Sequence, residues 1–378
     1  MKKYVRAIIC LFLVVTVICS FSSCFVYNIT QKDTQKDDNQ AVADIDPTPS
    51  SMPYTSGSAV SIGNCVYAIT EKALLAAENG VIETLFESEF KEYNGMATNG
   101  KKIITVDSDG NVLCFDIMTK TAKTLFKVNP LYSVCGANEN TIFMETKENE
   151  DEWWGSVIMA YDYNGNTKKE YGDGKVAQMY EGKLVITSFV SDASPVSLEV
   201  VDQNDNSVLK VDCVWSYQYF NGNIYYLNAD GFDVESYTSD SISLMRFSGG
   251  DSTKIKTYYS TAFNEDEVFA VAGKEIFYIY SGESNGYYLE TGDPVSGYFG
   301  PYPALDVAMD YAHDRDGNAY YTVISGGDYQ LYRAKGNNGF AHVCTFKQES
   351  YPDICCIIDD WVYYSSDTDF NCAKVPVQ

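Results

Sequence analysis

The sequence predicts an all-β fold, a β-propeller built from four-stranded antiparallel blades, on three observations. A short apolar core of the "IYY" type returns about every 40 residues. A turn such as Asn-Gly or Asp-Gly precedes most cores, and further apolar strands flank them. The 3.6-residue apolar period of a helical repeat is missing. Four strands in each period are typical of a propeller blade.

Eight cores mark the predicted blades, and seven blades are the alternative. The last unit stops at "NCAKVPVQ" after three strands. Because an open sheet edge is normally covered, we expect a strand from residues 41–45 or 52–56 to complete it. The cores end at Tyr67, Ile104, Phe143, Ile186, Tyr226, Tyr278, Tyr321 and Tyr364.

The N-terminus has the layout of a secretory signal peptide. "MKKYVR" is basic, "AIICLFLVVTVICSF" is apolar, and two small residues precede Cys24. "FSSC" resembles the bacterial lipobox, with Phe21 where that motif usually has Leu. The resemblance implies a lipid on Cys24 and an extracytoplasmic protein held at the cell membrane. The alternative is an uncleaved membrane anchor, because the apolar stretch runs on to Tyr27.

Three parts are therefore predicted along the chain. Residues 1–23 form the signal peptide. Residues 24–58 are rich in Asp, Gln, Ser, Thr and Pro, so they form a flexible polar tether, which is also expected to donate the closing strand. Residues 59–378 form the propeller.

The later units carry a family resemblance. "NGNIYYLN" and "GNAYYTV" resemble the Tyr-rich propeller repeats of secreted bacterial proteins and YWTD-type propellers. The resemblance supports the fold and implies no active site. Since paired aromatics return in unit after unit, we interpret them as scaffold and not as a sugar-binding motif.

The charge excludes one class of partner. Removal of residues 1–23 leaves 24 basic and 52 acidic residues, a formal charge of −28. A surface this acidic repels phosphate backbones, so we expect no nucleic-acid partner.

The cysteine pattern favours free thiols over disulfides and does not predict a metal site. Eight remain after Cys10, Cys19 and Cys24 are set aside. Several lie inside apolar strand runs, such as Cys65 in "CVYAI" and Cys114 in "VLCF". Buried free thiols are therefore favoured, with a disulfide framework as the alternative. No CxxC spacing occurs, so a zinc site is not predicted, and no cofactor is expected.

Few motifs point to catalysis. "DSDGN" and "DRDGN" resemble the start of a calcium loop, but Met118 and Ser325 stand where an EF-hand needs Glu, so we interpret both as turns. His313 and His342 are the only histidines, and neither GxSxG nor HExxH is present. No catalytic residue is predicted.

Two loops supply the candidate ligand-binding residues. Residues 147–156, "KENEDEWWGS", lengthen the third unit, and residues 290–306 form a second loop, in which aromatic residues stand among glycines and prolines. Loops at propeller faces often meet ligands. The alternative is that these aromatic residues fold back to cover a blade. The candidates are Trp153, Trp154, Tyr298, Phe299 and Tyr302.

These observations predict a monomeric, non-catalytic binding module that holds a carbohydrate or a protein partner at one propeller face. One alternative is a surface enzyme that degrades polysaccharide with paired carboxylates, since carboxylates are abundant. Another is a scaffold for envelope assembly.

If Cys24 carries the lipid, Cys24→Ala removes the only acceptor in the "FSSC" motif. Metabolic labelling with a fatty-acid analogue should then be lost, and the precursor should be processed differently. Labelling equal to that of the unchanged chain would contradict the anchor.

Overall fold

The computed structural model describes residues 51–53 and 58–374, apart from short connecting stretches. In several later strands only the course of the backbone is described. The stretches left out are 54–57, 92–94, 148–155, 172–174, 181, 189–195, 203, 205, 221, 234–238, 259–267, 273–274, 282–286, 293–298, 302–307, 314–317, 326, 335–339, 347–351 and 367–368.

The described strands form eight successive antiparallel blades, as predicted. Blade 1 has β1 (Ser51–Pro53), β2 (Ser58–Ile62), β3 (Cys65–Ile69), β4 (Ala73–Glu78) and β5 (Val81–Glu87). Blade 2 has β6 (Met96–Thr98), β7 (Lys102–Val106), β8 (Asn111–Asp116) and β9 (Thr121–Lys127). Blade 3 has β10 (Ser133–Ala137), β11 (Ile142–Thr146), β12 (Val157–Tyr161) and β13 (Thr167–Glu170).

Blades 4 and 5 are joined in one sheet by a shared strand. That sheet contains β14 (Lys175–Tyr180), β15 (Lys183–Ser188), β16 (Val196–Val201), β17 (Ser207–Phe220), β18 (Asn223–Asp230), β19 (Ser241–Ser248) and β20 (Asp251–Tyr258). The first half of β17 pairs with β16 and the second half with β18. Cys213, with φ of 60°, lies between the two halves. The outer strand of blade 4 thus becomes the inner strand of blade 5 without a loop.

Three further blades complete the set. Blade 6 has β21 (Val268–Ala272), β22 (Glu275–Ser281), β23 (Tyr287–Gly292) and β24 (Phe299–Pro301). Blade 7 has β25 (Ala308–His313), β26 (Ala319–Ser325), β27 (Asp328–Ala334) and β28 (Phe340–Phe346). Blade 8 has three strands, β29 (Asp353–Ile358), β30 (Trp361–Ser366) and β31 (Asp369–Lys374).

The hydrophobic core lies between the blades, because successive side chains of a strand point to opposite faces of its sheet. In β3, Tyr67 and Ile69 pack towards blade 2, whereas Val66 and Ala68 pack towards blade 8. The same alternation explains the repeated aromatic pairs. Both tyrosines of "IYY" are buried, and Tyr226 packs towards blade 4. The interpretation of these pairs as scaffold is therefore confirmed for blade 5.

The ring closes where blade 8 packs against blade 1. Gly80, in the turn between β4 and β5, donates its N–H to the hydroxyl of Tyr363 over 3.2 Å, and its carbonyl oxygen accepts a hydrogen bond from Cys372 Sγ over 3.3 Å. The indole of Trp361 lies so close that a Cβ on Gly80 would overlap it. Buried residues of both blades form one cluster around this contact.

The predicted closing strand does not lie where we expected it. Ser51–Pro53 forms β1, but β1 pairs with β2, the innermost strand of blade 1, with Ser51 opposite Val60. Residues 52–53 therefore do not complete blade 8. Instead β1 covers the inner backbone edge of β2, near the axis of the ring. Residues 41–45 lie outside the described residues.

The eight cysteines in the described part of the chain form no disulfide, which agrees with the interpretation as thiols. Burial raises the pKa of Cys355 and Cys135 well above the ordinary value for a thiol. Both are therefore protonated and unreactive at neutral pH. Within the described residues no helix is long and apolar enough to cross a membrane.

Closure at Gly80 can be tested with a matched pair of substitutions. Gly80 and Gly63 both have positive φ, 76° and 60°, but a Cβ on Gly63 meets nothing within 4 Å. In both variants alanine must adopt a positive φ, which costs conformational free energy. Only in Gly80→Ala does the added Cβ also overlap Trp361. Gly80→Ala should lower the free energy of unfolding by about 1 to 3 kcal/mol more than Gly63→Ala in urea titrations. Equal losses would contradict closure through this contact.

Candidate functional site

The blades define two ends of the ring. We call one end the turn face; there the first strand of a blade turns into the second, and the third into the fourth. At the opposite end, the connection face, the second strand leads to the third and consecutive blades are linked. Thus β2 runs from the connection face to the turn at Gly63. The two faces differ most in blades 3 to 5.

The connections between second and third strands are longest in three adjacent blades. They span 147–156 in blade 3, 189–195 in blade 4 and 231–240 in blade 5. In the other blades they span 70–72, 107–110, 282–286, 326–327 and 367–368. Loops of variable length on a rigid scaffold are where propellers and similar folds carry binding residues. The connection face of blades 3 to 5 is therefore the candidate site.

The second strands differ two residues after the repeated core, a position that faces the next blade in blades 1 to 3 and the preceding blade in blades 4 and 5. In blades 1, 2 and 7 this position holds the buried apolar side chains of Ile69, Val106 and Val323. Blades 3, 4 and 5 hold partly buried polar residues instead, namely Glu145, Ser188 and Asn228. Blade 8 has Ser366 here, but its connection is short. Burying polar groups costs stability, so their presence under the long connections marks a functional region.

Glu145 lies between blades 3 and 4. Its Oε1 accepts the backbone N–H of Ala177 over 3.1 Å. Ala177 belongs to β14, the first strand of its sheet, so this carboxylate satisfies an N–H on an edge without a strand partner. Burial raises the pKa of Glu145 to about 7, although the Ala177 N–H and the Lys147 ammonium oppose the shift. Near neutral pH the group is thus poised between its acid and its anion.

Asp230, at the end of β18, holds a second polar cluster between blades 4 and 5. Its Oδ1 accepts Asn228 Nδ2 over 3.0 Å, and its Oδ2 accepts Ser243 Oγ over 2.8 Å and Ser241 Oγ over 3.3 Å. Lys254 Nζ lies 3.7 Å from the same oxygen. Although burial acts in the opposite direction, these partners hold the pKa of Asp230 below its ordinary value. Asp230 is therefore ionised near neutral pH.

Acceptors outnumber donors at this cluster. The side-chain oxygen Oδ1 of Asn228 is buried and has no hydrogen-bond partner among the described residues. The serine hydroxyls already donate to Asp230, so their remaining capacity is as acceptors. Beside them β17 has a bulge, since Val214 pairs with Asn228 and Ser216 with Leu227. Trp215 is the extra residue of this bulge, near the middle of β17.

The first predicted calcium-like segment is a turn, as we interpreted it. Asp107 Oδ1 accepts the N–H groups of Asp109 and Asn111, and Asp107 Oδ2 accepts Asn111 Nδ2. Asp162 and Asp202 organise "DYNGN" and "DQNDN" in the same way. In the second segment, residues 314–317 lie outside the described residues. Across the described ranges no group of three or more His, Cys, Asp or Glu side chains is arranged to hold a metal ion.

His342 makes packing contacts with residues of its own blade. Its ring lies edge-on to Tyr332 with centroids 5.5 Å apart, and Nε2 lies 3.0 Å from Thr345 Oγ1. His313 ends β25, and its side chain is not described. A cavity of about 10 Å³ between blades 1 and 2 has room for a water molecule but not for a ligand.

The predicted aromatic residues divide between the two faces. Trp153 and Trp154 lie outside the described residues, in the segment that joins β11 to β12 at the connection face. Tyr298 and Tyr302 also lie outside them. Phe299 begins β24, so part of the predicted 290–306 loop is in fact strand, and the hairpin from β23 to β24 belongs to the turn face. The segment that contains Tyr302 links β24 to β25 at the connection face, so only the part of this loop before Phe299 belongs to the turn face.

Sequence reasoning did not identify Asn228, Asp230 or Glu145 as site residues. A signal was present in the repeat. Aligned on their cores, the units place Glu145 where Ile69 and Val106 stand, and all three face the next blade. A polar residue at an apolar position of a repeat identifies a blade that differs in function.

No protein-family model matches the sequence, and no curated protein matches it. Among solved structures the chain is similar to BamB from Moraxella catarrhalis, with 11% identity, a TM-score of 0.48, and coverage of 86% of this chain and 96% of that one. The chain is also similar to apo AztD from Citrobacter koseri, with 13% identity and a TM-score of 0.45. The similarity covers 82% of this chain and 87% of that one. Similarity to a prolyl endopeptidase has 10% identity and a TM-score of 0.48. It covers 79% of this chain, which spans 50% of the length of that protein. These similarities are too low to assign a function.

The raised pKa of Glu145 predicts a pH-dependent stability. The native state holds a proton that the unfolded chain, with an ordinary pKa of 4.5, releases. This contribution to the free energy of unfolding is therefore complete below about pH 4.5 and is lost as the pH rises through 7. Glu145→Gln keeps an acceptor for Ala177 N–H but cannot ionise. Its melting temperature should fall less than that of the unchanged chain between pH 5.5 and 8.5, whereas the exposed control Glu139→Gln should follow the unchanged chain. Parallel curves for all three proteins would contradict the shift.

Proposed function

We propose that this protein is a lipid-anchored, extracytoplasmic β-propeller that binds a carbohydrate or a protein partner at the connection face of blades 3 to 5 without turning it over. The anchor rests on the "FSSC" motif and the apolar run before it. The placement of the site rests on one coincidence. The three blades with the longest connections are adjacent, and in each a partly buried polar residue, Glu145, Ser188 or Asn228, lies near the end of the second strand beneath the connection.

The chemistry of the face favours a ligand rich in hydrogen-bond donors. Asn228 Oδ1, the Asp230 carboxylate and the serine oxygens are acceptors, and Glu145 adds a carboxyl group under the neighbouring connection. Sugar hydroxyls meet this requirement, as do the lysine and arginine side chains of a protein. Tryptophans at the same face would supply apolar area for a sugar ring or a peptide.

A second candidate function has one observation in its favour. Glycoside hydrolysis uses one carboxyl group that stays protonated and one that stays ionised. Burial raises the pKa of Glu145 to about 7, and hydrogen bonds lower the pKa of Asp230. A polysaccharide-degrading enzyme would need these groups to act across blade 4.

Three assays on the mature protein separate the candidates. A glycan array measures binding, release of reducing sugar measures hydrolysis, and crosslinking in cells recovers a protein partner. Glycan binding without release supports a carbohydrate-binding module. Release that disappears in both Glu145→Gln and Asp230→Asn supports the enzyme. A crosslinked partner without glycan binding supports a protein-binding module or an assembly scaffold.

Replacing Trp153 and Trp154 with alanine should weaken binding of the ligand found in these assays by about 2 to 4 kcal/mol, the range for aromatic anchors at an interface. The melting temperature should change little if the two residues contact ligand. Met118→Ala, which truncates an exposed side chain on the turn face, serves as the control and should bind normally. Normal binding with a melting temperature lower by several degrees would show instead that the tryptophans cover a blade.

The same titration on Asn228→Val tests the polar strand position. Valine removes both the unsatisfied Asn228 oxygen and the hydrogen bond from Asn228 to Asp230, so these two effects oppose each other and stability should change little. Binding should nevertheless weaken tenfold or more. A variant that is destabilised but binds normally would place Asn228 in the scaffold and not in the site.

A further inference from the structure

The position of β1 carries information about how the ring stands on the membrane. Strand β2 begins at Ser58 on the connection face and ends at Ile62 beside the turn at Gly63. Because β1 pairs antiparallel to it, Pro53 lies opposite Ser58 and Ser51 lies opposite Val60. The chain therefore runs along β1 from the turn face towards the connection face.

β1 also lies close to the axis of the ring. It is the first strand of the blade 1 sheet, on the inner side of β2, and it contacts β6, the inner strand of blade 2. The inner strands of several neighbouring blades contact each other in the same way, as β6 does with β10 and β25 with β29. Ser51, the point at which a tether would join the ring, therefore lies near the axis and not at the rim.

From these two observations we propose that the turn face is directed towards the lipid surface and the connection face away from it, where an external partner can reach blades 3 to 5. This inference rests on the proposed N-terminal anchor. Twenty-six residues separate Cys24 from Ser51, and a flexible chain of that length has a root-mean-square span of roughly 28 Å. That span is short enough for the point of entry to bias the orientation of the ring.

Surface charge favours the same orientation. On the turn face of blades 1 to 3, Lys120 pairs with Glu83 over 3.1 Å and Lys101 with Glu139 over 3.7 Å, so these charges are balanced. The segment at 147–156, which joins two strands at the connection face, has four acidic residues and one lysine. Anionic headgroups repel an acidic face more than a balanced one.

Two positions at opposite ends of one strand provide the readout. Asp109 is exposed in the turn before β8, on the connection face, and Met118 is exposed in the turn after it, on the turn face. An azide-bearing amino acid at either position accepts a donor dye without use of the native thiols. Energy transfer to an acceptor lipid is measured for the full chain in vesicles of phosphatidylcholine and phosphatidylglycerol. The label at 118 should lie about 20 Å closer to the lipid, the length of a six-residue strand, and should transfer at least twofold more. Equal transfer, or more from 109, overturns the proposal.

Breaking β1 gives a sharper test. Replacement of Ser51–Pro53 by three glycines keeps the tether length but removes the preferred pairing with β2. The tether then leaves the ring from Ser58 on the connection face, so the difference between the two labels should disappear or reverse. A melting curve checks that the eight blades remain folded. An unchanged difference in a folded variant also overturns the proposal.

The same labels in a chain whose residues 1–24 are replaced by a histidine tag, held on nickel-chelating lipids, separate this inference from the proposed function. A preference for 118 in the tagged chain, with no membrane attachment of the full chain, would leave the orientation standing and remove the natural anchor. No preference in the tagged chain would contradict the orientation itself. Ligand binding does not enter either measurement.

Discussion

Packing between neighbouring blades is the constraint on which the rest of the structure depends. Each strand turns alternate side chains to the blade before it and the blade after it, so no blade buries both faces unless it has two neighbours. The described clusters follow this rule, with one between blades 1 and 2, another between blades 2 and 3, and another where blade 8 meets blade 1. A linear array of such units would leave two apolar faces in water, at about 25 cal/mol for each Å². Closure at Gly80 removes both faces together, which explains why a glycine is needed at so tight a contact.

The same constraint gives meaning to the polar residues of blades 3 to 5. A side chain that faces a neighbouring blade is normally apolar, as that of Val106 is, because any polar atom there must find a partner inside the interface. Glu145 finds one in Ala177, and Asp230 finds several in its own blade. Asn228 retains one oxygen without a partner among the described residues. Such incomplete satisfaction lowers stability, and a chain keeps it only where the unsatisfied acceptor has a use. The site is thus recognised by a local departure from the rule that builds the ring.

The sequence predicted the architecture well because each repeat is defined by residues that are close together in the chain. Turn residues such as Gly63 and Gly182 have positive φ, and alternating apolar residues define the strands between them. The predicted closing strand was wrong for residues 52–53, because pairing of a short edge strand depends on which backbone edge is open in three dimensions. The loop predicted at 290–306 was partly strand for a similar reason, since Phe299–Pro301 contains Gly and Pro and is held by pairing with β23. The candidate site was the least predictable part. Asp230 acquires its role from side chains on β19 and β20, and no local motif records that contact.

The strand shared by blades 4 and 5 has a consequence for how such a chain can change over time. Rings of this kind gain or lose units by duplication and deletion, and a new unit enters most easily at a loop between blades. β17 offers no loop there, because its hydrogen-bonded ladder passes from β16 to β18 around Cys213. Blades 4 and 5 can therefore be copied, exchanged or grafted only as a pair. Two of the three blades beneath the candidate site would then be inherited together, whereas the third could be replaced independently.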